Sequence, residues 1–282
     1  MKPSLVQNIQ AHYPGMSASH KKIAEYLLDH YDKAVFLTAK ELGQTLGVSE
    51  ATVIRFAMAL NYKGYPELQQ ALQDMVKTKI TTVERLRLAL LDGQTNLPHK
   101  ALSADISNIQ LTMEEITGAD FEKAVNEIIL ARNIYIISLR SATALGYFLH
   151  FYLQLLLQNS RLIHGVGTFF EEIRPAGPGD LVIGISFPRY TRQTVEGIKY
   201  ARENGARVLA ITDSLTSPLA PYSHHVLTAR SQQISFVDSF AAPLSLINAL
   251  ILAVGARDSA KTADILRQME AVWESYRVYH SE

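Results

Sequence analysis

The sequence predicts two domains: an all-α N-terminal domain, then an α/β domain built on a mostly parallel five-stranded sheet flanked by helices. Three observations carry this reading. Apolar residues recur at helical spacing from residue 3 to about residue 130. Beyond that point, apolar runs such as Leu181 to Ser186 and Arg207 to Thr212 alternate with helical segments of about 10 to 15 residues, the pattern of βαβ units. The chain has 282 residues, 48% hydrophobic and 19% charged, enough for two cores and unlike a disordered chain.

Within the first domain, residues 1–80, His20 to Val35 sets Ile23, Leu27, Leu28 and Tyr31 on one helical face. Thr38 with Glu41 three residues later is a capping-box pair that opens a second, short helix, ended at Gly47. Ser49 is placed to cap a third helix running to about Leu60, and Asn61 and Gly64 then break the pattern. Tyr65-Pro66-Glu67 starts a fourth, with Leu68, Leu72, Met75 and Val76 turned inward.

Residues 81–125 read as a helical linker, parted by the turn-rich Asp92 to Pro98 and Thr117 to Asp120. In residues 126–282, strands are expected at Asn133 to Leu139, Arg161 to His164, Leu181 to Ser186, Arg207 to Thr212 and His225 to Ala229. Helices are expected at Ala142 to Leu157, Thr191 to Asn204, Phe236 to Val254 and Ser259 to Tyr276. The apolar side chains Leu244, Ile247, Leu250 and Ile251 need burial, in the core or in a dimer seam.

Composition excludes several classes of function. Formal net charge is zero, which argues against a non-specific polyanion binder and leaves room for a local DNA-binding module. The absence of cysteine removes disulfide scaffolds, thiolate nucleophiles and cysteine-ligated zinc. The opening MKPSLVQNIQ lacks the apolar run of a signal peptide. The apolar runs at Leu153 to Leu157 and Leu244 to Val254 fall short of the roughly 20 residues that span a bilayer. A cytoplasmic protein without membrane contact is expected.

The stretch Thr38 to Phe56 fits a tri-helical DNA-binding unit. Such a unit needs a small residue where its helices cross, a glycine turn, and a second helix whose apolar side faces the first. Ala39, Leu42 and Leu46 supply the first face, Gly47 permits the turn, and Val48, Val53, Ile54 and Ala57 are expected to face inward. Ser49, Glu50, Thr52 and Arg55 are left outward at the start of the second helix. Ser49 and Thr52 suit phosphate or base contacts, and Arg55 can reach a phosphate or a guanine edge. Lys63 and Tyr65 are expected to clamp the DNA backbone, whereas Phe56 and Tyr62 are expected to pack. Residues 1–80 hold nine Lys or Arg against seven Asp or Glu, only a weak positive bias.

With Asn61-Tyr62-Lys63-Gly64-Tyr65-Pro66-Glu67-Leu68 following that unit, the chain resembles the RpiR (MurR/RpiR) family of bacterial transcriptional regulators. Gly179-Asp180, Ala201 to Ala206, Ile211 to Ser214 and Ser217 to Ala220 are similar to the second half of that family's sugar isomerase (SIS) domain. The resemblance implies an N-terminal helix-turn-helix on double-stranded operator DNA and a C-terminal SIS domain, residues 126–282, that binds effector and dimerises. It implies a homodimer or dimer of dimers, no enzymatic activity, and a sugar phosphate or related catabolite as effector.

SIS domains hold a phosphate with a glycine-serine loop after the first strand and a serine/threonine loop after the third. Small hydroxyls and backbone donors at helix N-termini form the cradle. Here Ser141, Ser186 and Thr191 match, with Thr194 following in the same helix start. Leu139 and Arg140 stand where the family has glycine, and Pro188 and Arg189 replace its second serine and glycine. Arg140, Arg189 and Arg192 bring three guanidinium groups, so an anion site rebuilt from side chains is expected, and a sugar or keto acid is as suitable as a phosphate. The competing reading is an SIS-type sugar-phosphate isomerase with an accessory helical domain, using His164, Glu171, Glu172, His224 or His225 as base; each suits a structural role better. Neither catalytic residue, cofactor nor metal is assigned.

Overall fold

The computed structural model describes residues 5–79, 82–83, 86, 96–165, 167–232 and 236–280. The chain divides into two compact units, Met1–Arg85 and Leu86–Glu282. The side chains of Met75 and Val76 and residues 92–95 of the expected turn lie outside the described set.

The first unit contains α1 (Leu5–His12), α2 (Ala18–Asp29), α3 (Tyr31–Ala34), α4 (Ala39–Leu46), α5 (Glu50–Ala59) and α6 (Tyr65–Lys79). The helix expected over 20–35 is two helices, because His30 leaves helical geometry at φ −127°, ψ 36°. Its N–H closes α2 on the Tyr26 carbonyl. The Thr38 and Glu41 side chains exchange both bonds of the capping box. Gly47 ends α4 in the left-handed region at φ 66°, where a side chain is disfavoured. Ser49 caps α5 by accepting from the Thr52 N–H. Ile23, Leu27, Leu42, Val53, Phe56, Leu68 and Leu72 form the buried core.

In the second unit, α7 (Leu97–Glu115) and α8 (Gly118–Leu130) precede β1 (Ile134–Ser138), α9 (Thr143–Leu157), β2 (Ser160–Ile163) and α10 (Phe169–Ile173). There follow β3 (Leu181–Ile185), α11 (Arg192–Glu203), β4 (Arg207–Thr212), β5 (His225–Thr228), α12 (Ala241–Arg257) and α13 (Ser259–Ser275). The sheet is parallel throughout, in the order β2-β1-β3-β4-β5. Successive strand residues point to opposite faces, and both faces are covered. Ile134, Ile136, Ile183 and Leu209 pack with residues of α8, α9 and α12. Tyr135, Ile137, Val182 and Val208 pack with Phe169 and Ile173 of α10 and Ile198 and Ala201 of α11. The core takes Ile247 and Leu250 of α12 and half-buries Leu244 and Ile251, while Leu252 remains exposed.

One buried carboxylate ties two strand starts together. Asp180 accepts from Arg132 Nε (3.0 Å) and Nη2 (2.9 Å), from Asn133 Nδ2 (2.9 Å) and from the Gly177 N–H (3.1 Å). Burial alone would raise its pKa, but these donors and the Arg132 charge outweigh burial and hold it below the ordinary carboxylate value. Among the described residues, no single helix is long and apolar enough to cross a membrane.

Candidate functional site

Ser49, Thr52 and Arg55 are brought together on α5. Ser49 Oγ and Thr52 Oγ1 share a hydrogen bond of 2.8 Å, and Arg55 Nη2 donates to Thr52 Oγ1 at 3.3 Å. Ser49 and Arg55 are exposed. A hydroxyl–hydroxyl–guanidinium line at the start of a helix is suited to phosphate and base edges. Lys63 is exposed beyond the helix, with its backbone N–H donating to Glu67 Oε2 at 2.6 Å. Ile54, expected inward, is 37% exposed beside Arg55; the inward face is completed instead by Phe56, fully buried against the edge of His20.

Tyr65 corrects the expected backbone clamp. Its ring is buried, its hydroxyl donates to the Leu37 carbonyl at 2.7 Å, and burial and Glu41 push its phenol up to about 12. It fastens α6 to the segment before α4. Tyr65→Phe is therefore expected to lower stability by about 1 kcal/mol while leaving the DNA affinity of the folded protein unchanged. A chemical-denaturation curve and a DNA titration separate the two effects.

The second site lies at the carboxyl edge of the sheet. Ser138 of β1 stands opposite Ile185 of β3, so the loops that follow emerge side by side. The first carries Arg140 and Ser141, the second Ser186, Arg189 and Thr191. Arg140 has φ 58° and Arg189 φ 68°, so both arginines hold a left-handed backbone. Ser186 is buried, and its Oγ accepts from the Thr191 N–H at 3.3 Å. Thr191 is the N-cap of α11 but makes no side-chain cap bond among the described residues. Thr194 is fully buried one turn in, and its Oγ1 has no hydrogen-bond partner among the described residues. Ser138 and Ser217, at the ends of β1 and in the loop after β4, are in the same condition. Tyr190 donates to Asp213 Oδ1 at 2.6 Å, bracing the second loop against the end of β4.

Two placements differ from expectation. Arg192 turns along its own helix to Glu196 Oε1 at 2.6 Å, with a side chain 90% exposed, so it stands apart from the other loop residues. An i,i+4 partner wins over a loop contact because both ends lie on one helical face. Ser141 donates to Asp238 Oδ2 at 2.6 Å, a carboxylate that no local sequence pattern marks. Three of the five groups considered for isomerase chemistry, His224, His225 and Glu172, are engaged in other side-chain contacts. His225 pairs with Glu127 at 3.1 Å, and His224 Nδ1 accepts from the Val208 N–H at 3.0 Å. Glu172 accepts from Thr168 Oγ1 and the His164 N–H, while Glu171 and His164 are exposed.

A helix-turn-helix face on one unit and a loop-edge cradle on an α/β unit define a DNA-binding regulator with a sugar-related ligand domain, and the relatives agree. A model of the helix-turn-helix domain of the rpiR family matches residues 4–79, and a model of the SIS domain matches residues 127–253. The chain belongs to the RpiR family of helix-turn-helix and SIS-domain regulators. It is similar to the HTH-type transcriptional regulator HexR of Pseudomonas aeruginosa, 28% identical over 262 residues, 86% of this chain and 90% of that one. HexR of Escherichia coli is 24% identical over 282 residues, covering 96% and 95%. The sugar isomerase domain of an RpiR transcription factor from Sphaerobacter thermophilus superposes with TM-score 0.60 at 28% identity, covering 63% of this chain and 99% of that one. Vibrio vulnificus NanR complexed with ManNAc-6P shares the fold, with TM-score 0.61 at 18% identity over 96% and 98% of the two chains.

Proposed function

We propose that the second unit binds a small anionic carbohydrate derivative at the loop edge of its sheet, and that occupancy controls operator binding by the first unit. The observation that carries this reading is the pair of arginines in left-handed conformation. An L-residue there costs about 1–2 kcal/mol that glycine would not, and backbone strain of this kind gathers at ligand sites. Arginine at both positions offers bidentate contacts to a carboxylate as readily as to a phosphate. Ser141, Ser186, Thr191 and the buried Thr194 hydroxyl complete the cradle. The effector is a sugar phosphate or a sugar or keto acid, bound without turnover.

Ser49, Thr52, Arg55 and Lys63 contact double-stranded operator DNA, with residues 81–125 linking the two functions. A homodimer or dimer of dimers is the assembly that presents paired recognition helices. Exposed Leu102, Ile106, Ile109 and Met113 on α7, at the seven-residue spacing of a helix-pairing seam, support it.

The test is the thermal stability of the full chain against panels of hexose phosphates and of hexonic and keto acids at millimolar concentration. A ligand specific for the folded state raises the apparent stability. Arg140→Gly and Arg189→Gly should keep ligand-free stability within about 1 kcal/mol of wild type, since glycine relaxes the backbone. Both should lose the ligand-induced shift. A shift that survives both substitutions would place the anion elsewhere.

A further inference from the structure

We propose that three consecutive residues, Asp238, Ser239 and Phe240, report occupancy of the anion cradle to helix α7, with the Asp238 carboxylate holding Ser141 while the cradle is empty. This rests on the effector reading above and adds the route by which that site is read out.

Each residue of the trio touches a different element. Asp238 Oδ2 accepts the Ser141 hydroxyl from the first loop at 2.6 Å. The Phe240 ring packs on Phe187 of the second loop, with centroids 5.6 Å apart. Ser239 Oγ, between them, donates to Asp105 Oδ1 of α7 at 2.6 Å and accepts from Asn108 Nδ2 at 3.2 Å. Both cradle loops and α7 therefore meet on one short segment.

The chemistry at Ser141 makes this segment responsive. A serine hydroxyl has one proton to donate. While that proton is given to Asp238, it is not given to a bound anion, so the two uses exclude one another. The carboxylate also repels an incoming anion across a short distance. An anion that takes Ser141 thus takes from Asp238 the hydrogen bond that Ser141 gave it, and Ser239 is covalently next to it.

At the other end, α7 has little freedom to ignore the change. Asn108 is fully buried, and its side chain is committed to the same region. Its Nδ2 donates to the Gln232 carbonyl at 3.1 Å, and its Oδ1 accepts from the Gln232 N–H at 3.0 Å. The Arg230 N–H donates to Thr112 Oγ1 at 2.8 Å, and the Arg230 guanidinium pairs with Glu115. Shifting Ser239 takes one of two acceptors from the buried Asn108 amide and a donor from Asp105, and a hydrogen bond lost at a buried group is costly, so α7 shifts or loosens with it. In sequence, α7 is the first helix of the second unit whose bounds are described.

The test uses hydrogen–deuterium exchange of the full chain, with inorganic phosphate and gluconate as probes and binding followed by thermal shift. In the wild type, whichever probe binds should speed amide exchange across residues 105–115. Asp238→Ala should exchange fast there without any probe, and should bind the probe about fivefold or more tightly, the low end of ordinary coupling between linked sites. Asp238→Asn, which keeps an acceptor without the charge, should bind more tightly than wild type while retaining more protection than Asp238→Ala. Probe binding that leaves exchange in 105–115 unchanged, or an Asp238→Ala protein that binds no more tightly, overturns the relay and leaves the cradle standing. If neither wild type nor Asp238→Ala binds phosphate, gluconate or any panel compound, the cradle reading fails and the relay fails with it.

Discussion

Gly43→Val should abolish operator binding by prising α4 from α5. A methyl group on Gly43 would stand 2.8 Å from the Val48 carbonyl oxygen and 3.3 Å from the Glu50 backbone nitrogen. Neither is the movable end of a side chain, so the turn itself must give. Overpacking of a tight contact costs about 1–3 kcal/mol, and a branched side chain against backbone belongs at or above the upper end. That is a large share of the roughly 5–15 kcal/mol that holds a domain together. Gly47→Ala makes the informative comparison. Gly47 has the unusual backbone, φ 66°, yet a methyl group there meets no atom within 4 Å. Its cost is the conformational penalty alone, about 1–2 kcal/mol. Thermal melts of the first unit's helical signal, with recovery of bound DNA from a fragment library at moderate salt, should rank Gly43→Val far below Gly47→Ala. The reverse order would mean that turn conformation, not helix spacing, holds the motif.

The second large effect is expected at Asp180. Removing it strands the Asn133 amide and the Gly177 N–H and frees the Arg132 guanidinium, whose partner is gone. Leaving a partly buried donor without its acceptor costs about 1–3 kcal/mol, and Arg132 is exposed enough to return to water, so the two stranded donors put Asp180→Ala at about 3 kcal/mol. The pH dependence follows from the depressed pKa. The unfolded chain takes up the proton first, near the ordinary aspartate value of about 3.9. The stabilisation is therefore complete above that pH and disappears as pH falls through the lower folded value. Urea unfolding at about pH 7 and about pH 3 should show wild type losing more stability than Asp180→Asn. Equal losses would show that the carboxylate's charge contributes nothing.

What was legible in the sequence was local. Thr38, Glu41, Gly47 and Ser49 each act on a partner about one turn away, and the structure places each in the role its spacing implies. The five strands fall within a residue or so of their expected bounds, because a fully covered parallel sheet writes itself as short apolar runs. What failed to show depends on partners far along the chain. Tyr65 looks like a helix-start tyrosine open to DNA until the Leu37 carbonyl, 28 residues away, claims its hydroxyl. Ile54 fits an inward helical position, but the buried side of α5 is formed by Val53, Phe56 and Ala57. Asp238 meets Ser141 across 97 residues. Gly43 did carry a signal: a helix crossing demands a small residue, and Gly43 is the smallest on α4.

The strand order carries a consequence for synthesis. β1 lies between β2 and β3, so Ile134 is flanked on both sides only after Ser160 and then Leu181 have left the ribosome. The last edge closes only when β5 pairs through Thr228. The first unit draws its contacts from the opening stretch of chain and can mature early, whereas long-range parallel pairing is intrinsically slow. Each nascent polypeptide thus completes its helix-turn-helix unit before its sugar-related ligand domain. Translation arrest or proteolytic clipping in the later strands would leave a folded helix-turn-helix unit cut off from the rest of the ligand domain.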